Sequence, residues 1–155
     1  MTYLSLHQAE GIVDAGLDRA RELGLKPLTI AVLDAGGHLV AFKRQDKSGI
    51  LRPDIAQGKA WGALGMGLGG RALAQRAEMA PAFFTALASV SHGRIVPVPG
   101  GVLIRAADGD IVGAVGISGD HPDNDEACAV FGIERVGLVA DGGVAEGHPA
   151  AQKKQ

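Results

Sequence analysis

Two apolar, β-branched runs, Val102–Ala106 and Asp110–Ile117, are joined through Ala107-Asp108-Gly109. Such runs meeting at Asp-Gly predict a β-hairpin, because Gly accepts the positive φ of a tight turn without steric cost. A second pair, Leu28–Leu33 and Leu39–Arg44, meets through Asp34-Ala35-Gly36-Gly37-His38. Asp34 and His38 are expected to serve that turn, since an Asp side chain bonds nearby backbone amides. Arg94–Val98 reads as a further short strand, edge-like because Pro97 has no N–H for a ladder. Strands grouped in antiparallel pairs, with helix-patterned segments between the groups, predict an α+β fold. About five strands in one antiparallel sheet are expected, with helices packed on it.

The helices are marked by their ends. Ser5 and Gln8 have capping-box spacing, and Gly24 suits a helix stop, so a helix is predicted over Ser5–Leu23. Leu6, Ala9, Val13, Gly16, Leu17 and Ala20 would form its apolar face. Arg52-Pro53-Asp54 opens a helix running to about Gly67, with Pro in its first turn and Asp at the positive end of its dipole. Gly58, Gly62 and Gly65 with Ala56, Ala60 and Ala63 make that helix slim, which predicts close approach of the sheet or of a second subunit. Arg71–Met79 and Pro81–Val90 read as short helices, the second packing through Phe83, Phe84 and Leu87. A last helix is expected over Ala127–Ala140, capped by Asp123 or Asp125. Residues 1–140 then form a single domain, and 141–155, Gly/Ala-rich and polar, a flexible C-terminal tail.

Composition narrows the partners. Of 155 residues, 46% are hydrophobic, enough for a core without disulfides. The lone Cys128 suits a reducing cytoplasm, and its acidic neighbours disfavour a nucleophilic thiolate. No secretory leader is read at Met1-Thr2-Tyr3, and no apolar run reaches the roughly 18–20 residues that span a bilayer. Net charge is −2 with the two signs interspersed, which argues against nucleic acid. A cytoplasmic protein without membrane contact is expected.

The chemistry-bearing residues fall in two stretches. Asp120, His121, Asp123, Asp125 and Glu126 crowd the loop after the longest strand. Their spacing is not that of an EF-hand and helix capping accounts for part of the set, so no metal is expected. Gly65-Met66-Gly67-Leu68-Gly69-Gly70 follows a helix rather than a strand and is a weak phosphate loop. Lys59 sits among small residues. Desolvation would lower its pKa and make it an acid–base candidate; the alternative is that it snorkels to solvent or pairs with a carboxylate. Arg44, Arg52, Arg71 and Arg94 fall near element ends, and Arg forks bind carboxylates bidentately. Were several to converge, the ligand would be anionic, a carboxylic acid first.

Asp34-Ala35-Gly36-Gly37-His38-Leu39-Val40, Ile55-Ala56-x-Gly58-Lys59-Ala60, Pro99-Gly100-Gly101-Val102, Gly113-Ala114-x-Gly116-Ile117-Ser118-Gly119 and Asp125-Glu126-Ala127-Cys128-Ala129 together resemble the GlcG/HbpS-like family. That family includes haem-binding HbpS and the C-terminal domain of PduO-type corrinoid adenosyltransferases. The resemblance runs from about Leu4 to Leu138. It implies a profilin- or PAS-like α+β sandwich on a five-stranded antiparallel sheet, and a homo-oligomer of two to eight copies. Some members bind haem; others, from aromatic-degradation gene sets, look like tautomerases.

The expectation drawn from both lines is a cofactor-free isomerase or tautomerase acting on unsaturated keto- or amino-carboxylic acids. Lys59, Asp120 and Glu126 would move the proton. Arg44, Arg52, Asp54, Arg71, Gly100, Gly101, His121 and Asp123 would hold the substrate. The alternative is a haem- or corrinoid-binding protein without catalysis, with His7, His38, His92 and His121 formally available to an iron. One Trp, one Tyr and four Phe offer little to wrap a porphyrin.

Overall fold

The computed structural model describes residues 2–144. Helix α1 (Leu6–Leu23) starts where the capping box places it. The Ser5 hydroxyl accepts the Gln8 amide at 3.1 Å and the Gln8 side chain accepts the Ser5 amide at 3.0 Å. Strands β1 (Thr29–Asp34) and β2 (Leu39–Arg44) follow, joined by a turn in which the Asp34 carboxylate accepts the Gly36 and His38 amides, each at 2.9 Å. Next come α2 (Arg52–Met66), α3 (Gly70–Met79), α4 (Pro81–Val90), β3 (Gly101–Arg105), β4 (Ile111–Ser118), α5 (Pro122–Arg135) and β5 (Val139–Asp141).

The five strands form one sheet in the order β2-β1-β4-β3-β5, with every neighbouring pair antiparallel. Strand periodicity sorts the core into two layers. Ile30, Val32, Val102, Ile104, Val115 and Ile117 point to the face covered by α1 and α5, where they meet Ile12, Val13, Cys128 and Ile133. Leu33, Leu103 and Ala114 point to the other face and meet Ala60 and Ala63 of α2. Both faces are covered, which is why β1, β3 and β4 are buried almost throughout rather than alternating. The fold is the α+β sandwich expected.

The slim helix α2 lies on the middle of this sheet. A Cβ placed on Gly116 would stand 1.7 Å from the Ala56 carbonyl, so the helix backbone seats directly on β4. On its outer side, a Cβ on Gly58 would stand 2.6 Å from Val96. The small residues therefore serve two close approaches within this one chain.

The second of those approaches corrects one expectation. Arg94–Val98 is not a strand. The Val96 amide donates to the Gly58 carbonyl at 3.2 Å, so the segment crosses α2 instead of joining the sheet. The fifth strand is Val139–Asp141, taken from what was read as the end of the last helix and the start of the tail. Helix α5 stops at Arg135 because Gly137 turns to φ 80° and the Leu138 amide bonds back to Ile133. Residues 145–155 of the expected tail lie outside the described residues.

Helix α4 departs from expectation in a different way. None of its ten residues is buried, so Phe83, Phe84 and Leu87 do not pack on the core. Among the described residues the helix rests mainly on α3, with Phe83 54% exposed. Among the described residues no helix is long and apolar enough to cross a membrane.

Candidate functional site

Lys59 projects from α2 into the junction of β4 and α5. Its ammonium donates to the Ile117 carbonyl at 2.9 Å and to the Asp125 carboxylate at 3.3 Å. Both side chains are almost sealed from water, at 4% and 1% exposure. Burial pulls the Lys59 pKa down and pushes the Asp125 pKa up, and each partner's charge opposes the shift of the other. Gly100, at φ 114°, closes the roof: a Cβ there would stand 2.9 Å from the Lys59 nitrogen. Gly101 lies against the Lys59 backbone, where a Cβ would stand 2.4 Å from its carbonyl oxygen. The sequence reading left Lys59 open between a titrating group and an ion pair, and treated Asp125 only as a possible helix cap. Two residues of alternating role in one loop are hard to separate by spacing alone.

The remaining acids of that loop hold the loop. The α5 N-cap is His121, whose Nδ1 accepts the Asp123 amide at 3.3 Å; it is neither Asp123 nor Asp125. Asp120 accepts the Asn124 side chain at 2.8 Å, the His121 amide at 2.8 Å and the Lys26 amide at 2.9 Å, and these bonds hold its carboxyl below the usual range. Asp125 turns its second oxygen to the Asp120 amide at 3.1 Å. Arg71 reaches across from α3 to Glu126 at 3.1 Å and to Asp123. Its hydrogen bonds to those two carboxylates raise the Arg71 pKa further. Among the described residues no three His, Cys, Asp or Glu side chains converge as metal ligands.

The arginines do not share one anion site. Arg52 donates to the Ser118 hydroxyl at 2.9 Å, Arg44 to the Ser48 carbonyl at 3.2 Å, and Arg71 is spent on Glu126 and Asp123. Of these four, Arg94 faces a cleft with an aromatic wall. Its guanidinium carbon lies 3.9 Å from the centre of the Trp61 ring, and its Nε donates to the Ser91 carbonyl at 2.8 Å.

That cleft, of about 480 Å³, is lined by Leu33, Asp54, Gln57, Trp61, His92 and Arg94 among others. His92 stands in the left-handed region at φ 55°, followed by Gly93 at φ 76°. A non-glycine residue held there marks a position where the surroundings over-determine the backbone. The other histidines are placed differently. His38 Nδ1 lies 3.1 Å from Asp34, His121 Nδ1 caps α5, and His7 borders a hollow with Glu10, Asp14 and Arg135 that has no aromatic wall. Composition counted a single Trp against a porphyrin site; it could not say that this Trp lines a cleft.

Helices on both faces of an antiparallel sheet, with a cleft at the edge of the central helix, define an α+β sandwich protein. Residues 4–134 match the family described as "Haem degrading protein HbpS-like", and the chain belongs to that family. GlcG of Escherichia coli K12 is 37% identical over 115 residues, which span 74% of this chain and 81% of GlcG. The corrinoid adenosyltransferase PduO of Salmonella typhimurium is 27% identical over 135 residues, which span 87% of this chain and 39% of PduO. The chain therefore corresponds to about two fifths of that relative. A crystal structure of a PduOC–haem complex superposes with a TM-score of 0.80 at 26% identity, covering 88% of this chain and 97% of the other.

These findings overturn the tautomerase reading. The family is described by haem, and a relative of the same fold is a haem complex; nothing links the chain to keto-acid isomerisation or to aromatic degradation. The haem alternative fits better than the cofactor-free expectation. The carboxylic-acid substrate loses its support as well.

Proposed function

We propose that this protein binds haem in the Trp61 cleft, with His92 as the iron ligand. The observation that carries the reading is the juxtaposition, in one cleft, of an imidazole on a constrained turn, an indole and a guanidinium. Each answers one part of haem. Imidazole is a common axial ligand, an apolar and aromatic wall receives the porphyrin face, and Arg pairs with a carboxylate edge. The His92 ring has no hydrogen-bond partner among the described residues, so a nitrogen is free to coordinate. Bound haem would supply a redox-active iron. The chain's own part is to hold it: Leu33 and Trp61 exclude water from one face, and the turn at Ser91–Arg94 sets where the imidazole stands. A corrinoid, bulkier through its nucleotide tail, suits this cleft less well than haem.

Haemin titrated into micromolar protein is expected to shift and sharpen the Soret band. His92→Ala is expected to change that spectrum and weaken binding, whereas His7→Ala, His38→Ala and His121→Ala leave it alone. A wild-type titration with no Soret change sinks the reading. A change that survives His92→Ala but disappears in one of the other three moves the site away from this cleft.

Assembly into a homo-oligomer belongs to the same proposal and rests on α4. Its ten residues carry no charge, none is fully buried among the described residues, and Phe83 and Val90 stand 54% and 75% exposed. An uncharged apolar face of this kind is suited to meeting its own copy.

A further inference from the structure

We infer that Arg94, held over Trp61, makes the cleft selective for planar ligands that carry a free carboxylate. The inference rests on the haem reading of the same cleft and names what part of the ligand is recognised. Among the described residues four arginines are tied to acids: Arg19 to Glu22, Arg21 to Asp18, Arg71 to Asp123 and Glu126, and Arg105 to Asp141. Arg94 forms no ion pair among the described residues, although Asp54 lines the same cleft. Its fixed contacts use one edge and one face of the guanidinium. The Nε proton goes to the Ser91 carbonyl at 2.8 Å, and the guanidinium carbon lies over the indole, 3.9 Å from its centre. Both Nη groups remain without a partner among the described residues.

This leaves a guanidinium held in place by two contacts, with its outer donors unspent among the described residues. A fork of that kind matches the two oxygens of a carboxylate, and holding it beforehand spares the ordering of a long side chain on binding. The indole is itself seated. A Cβ on Gly37 would stand 3.0 Å from the Trp61 ring nitrogen, so the β1–β2 turn backs the ring that backs the arginine. A purely apolar planar ligand would gain from Trp61 and Leu33 and would leave the Arg94 donors facing it unanswered. A porphyrin with free propionates answers both demands. Arg94 is thus a specificity-determining residue, and Trp61 positions it.

Haemin and its dimethyl ester, in which both propionates are capped, separate the two contributions. Each is titrated into wild type, Arg94→Ala and Arg94→Lys in one solvent mixture, with circular dichroism checking that the folds match. Wild type is expected to favour haemin over the ester by on the order of 10-fold or more, the scale of one charge-assisted pair at a partly exposed site. Arg94→Ala is expected to bring haemin down to the ester's affinity and to leave the ester unchanged. Arg94→Lys is expected to recover only part of the preference, because an ammonium keeps the charge but neither stacks nor forks. Equal binding of haemin and ester by wild type overturns the inference, as does an Arg94→Ala loss that falls on both ligands alike. In either result a Soret response persists and haem binding stands. No Soret response from wild type to either ligand removes the haem reading and this selectivity with it.

Discussion

The Lys59 ammonium and the Asp125 carboxylate lie 3.3 Å apart across the α2–α5 junction, all but sealed from water. A buried pair of this kind is weak evidence of net stabilisation, because desolvating two ions offsets much of their attraction. Breaking it is another matter. Lys59→Met strands a carboxylate and Asp125→Asn leaves an ammonium under-compensated, and each is expected to cost about 3–5 kcal/mol. The double variant Lys59→Met/Asp125→Leu should lose much less than the sum of the two single losses. Urea unfolding of the four proteins checks this; additive losses would mean that the two groups do not interact.

Cys128 should be inert in the native state. Burial, with Asp125 nearby as a smaller cause, pushes its thiol up from 9.0 to about 11. Ellman's reagent at pH 8 is expected to label it only after unfolding. The shift also has a stability consequence with a definite sign. Between pH 9 and about 11 the native thiol keeps its proton while the unfolded thiol loses it. The contribution is therefore complete below pH 9 and disappears as pH rises toward 11, by about 2–3 kcal/mol in all. The wild-type stability curve should fall more steeply across that window than the Cys128→Ala curve. Parallel curves would contradict the shift.

Helix α4 offers a test of assembly. Phe83→Asp and Val90→Asp introduce charge on a face that buries nothing within the chain. Sedimentation velocity is expected to show a smaller species for both variants, with the unfolding free energy per chain changed only through lost association. A sedimentation coefficient identical to wild type would rule α4 out as the contact.

Gly116→Ala should be severe. Its added methyl would meet the Ala56 carbonyl of α2 at 1.7 Å, and backbone cannot step aside as a flexible side chain can. A loss at or beyond the usual 1–3 kcal/mol of overpacking is expected, read as a large drop in Tm or failure to accumulate soluble protein. A variant of wild-type Tm would mean that α2 lifts off the sheet without cost.

How far the sequence could be read depends on whether a signal was local. Ser5 with Gln8, Asp34 with its turn, and Asp108-Gly109 announce their roles within a few residues, and all three stand as expected in the fold. Arg94–Val98 misled because a strand and an extended segment crossing a helix share one composition; only the glycines of α2, some forty residues away, decide between them. Val139–Asp141 is too short for any period to show. The site was legible in pieces. His92 and Arg94 were both singled out as basic or ligand-capable, but Trp61, which joins them into a cleft, belongs to another element. Asp125 was hidden among acids of similar appearance, its partner 66 positions away.

The seating of Val96 on Gly58 governs how a ligand could arrive. The segment that carries His92 and Arg94 is bonded to the same helix that carries Trp61, so both walls of the cleft belong to one block. No wall must swing inward after a ligand enters, and capture would proceed as a single bimolecular step. Variants that disturb the cleft should therefore show themselves mainly in how quickly ligand leaves, with the association rate nearly constant.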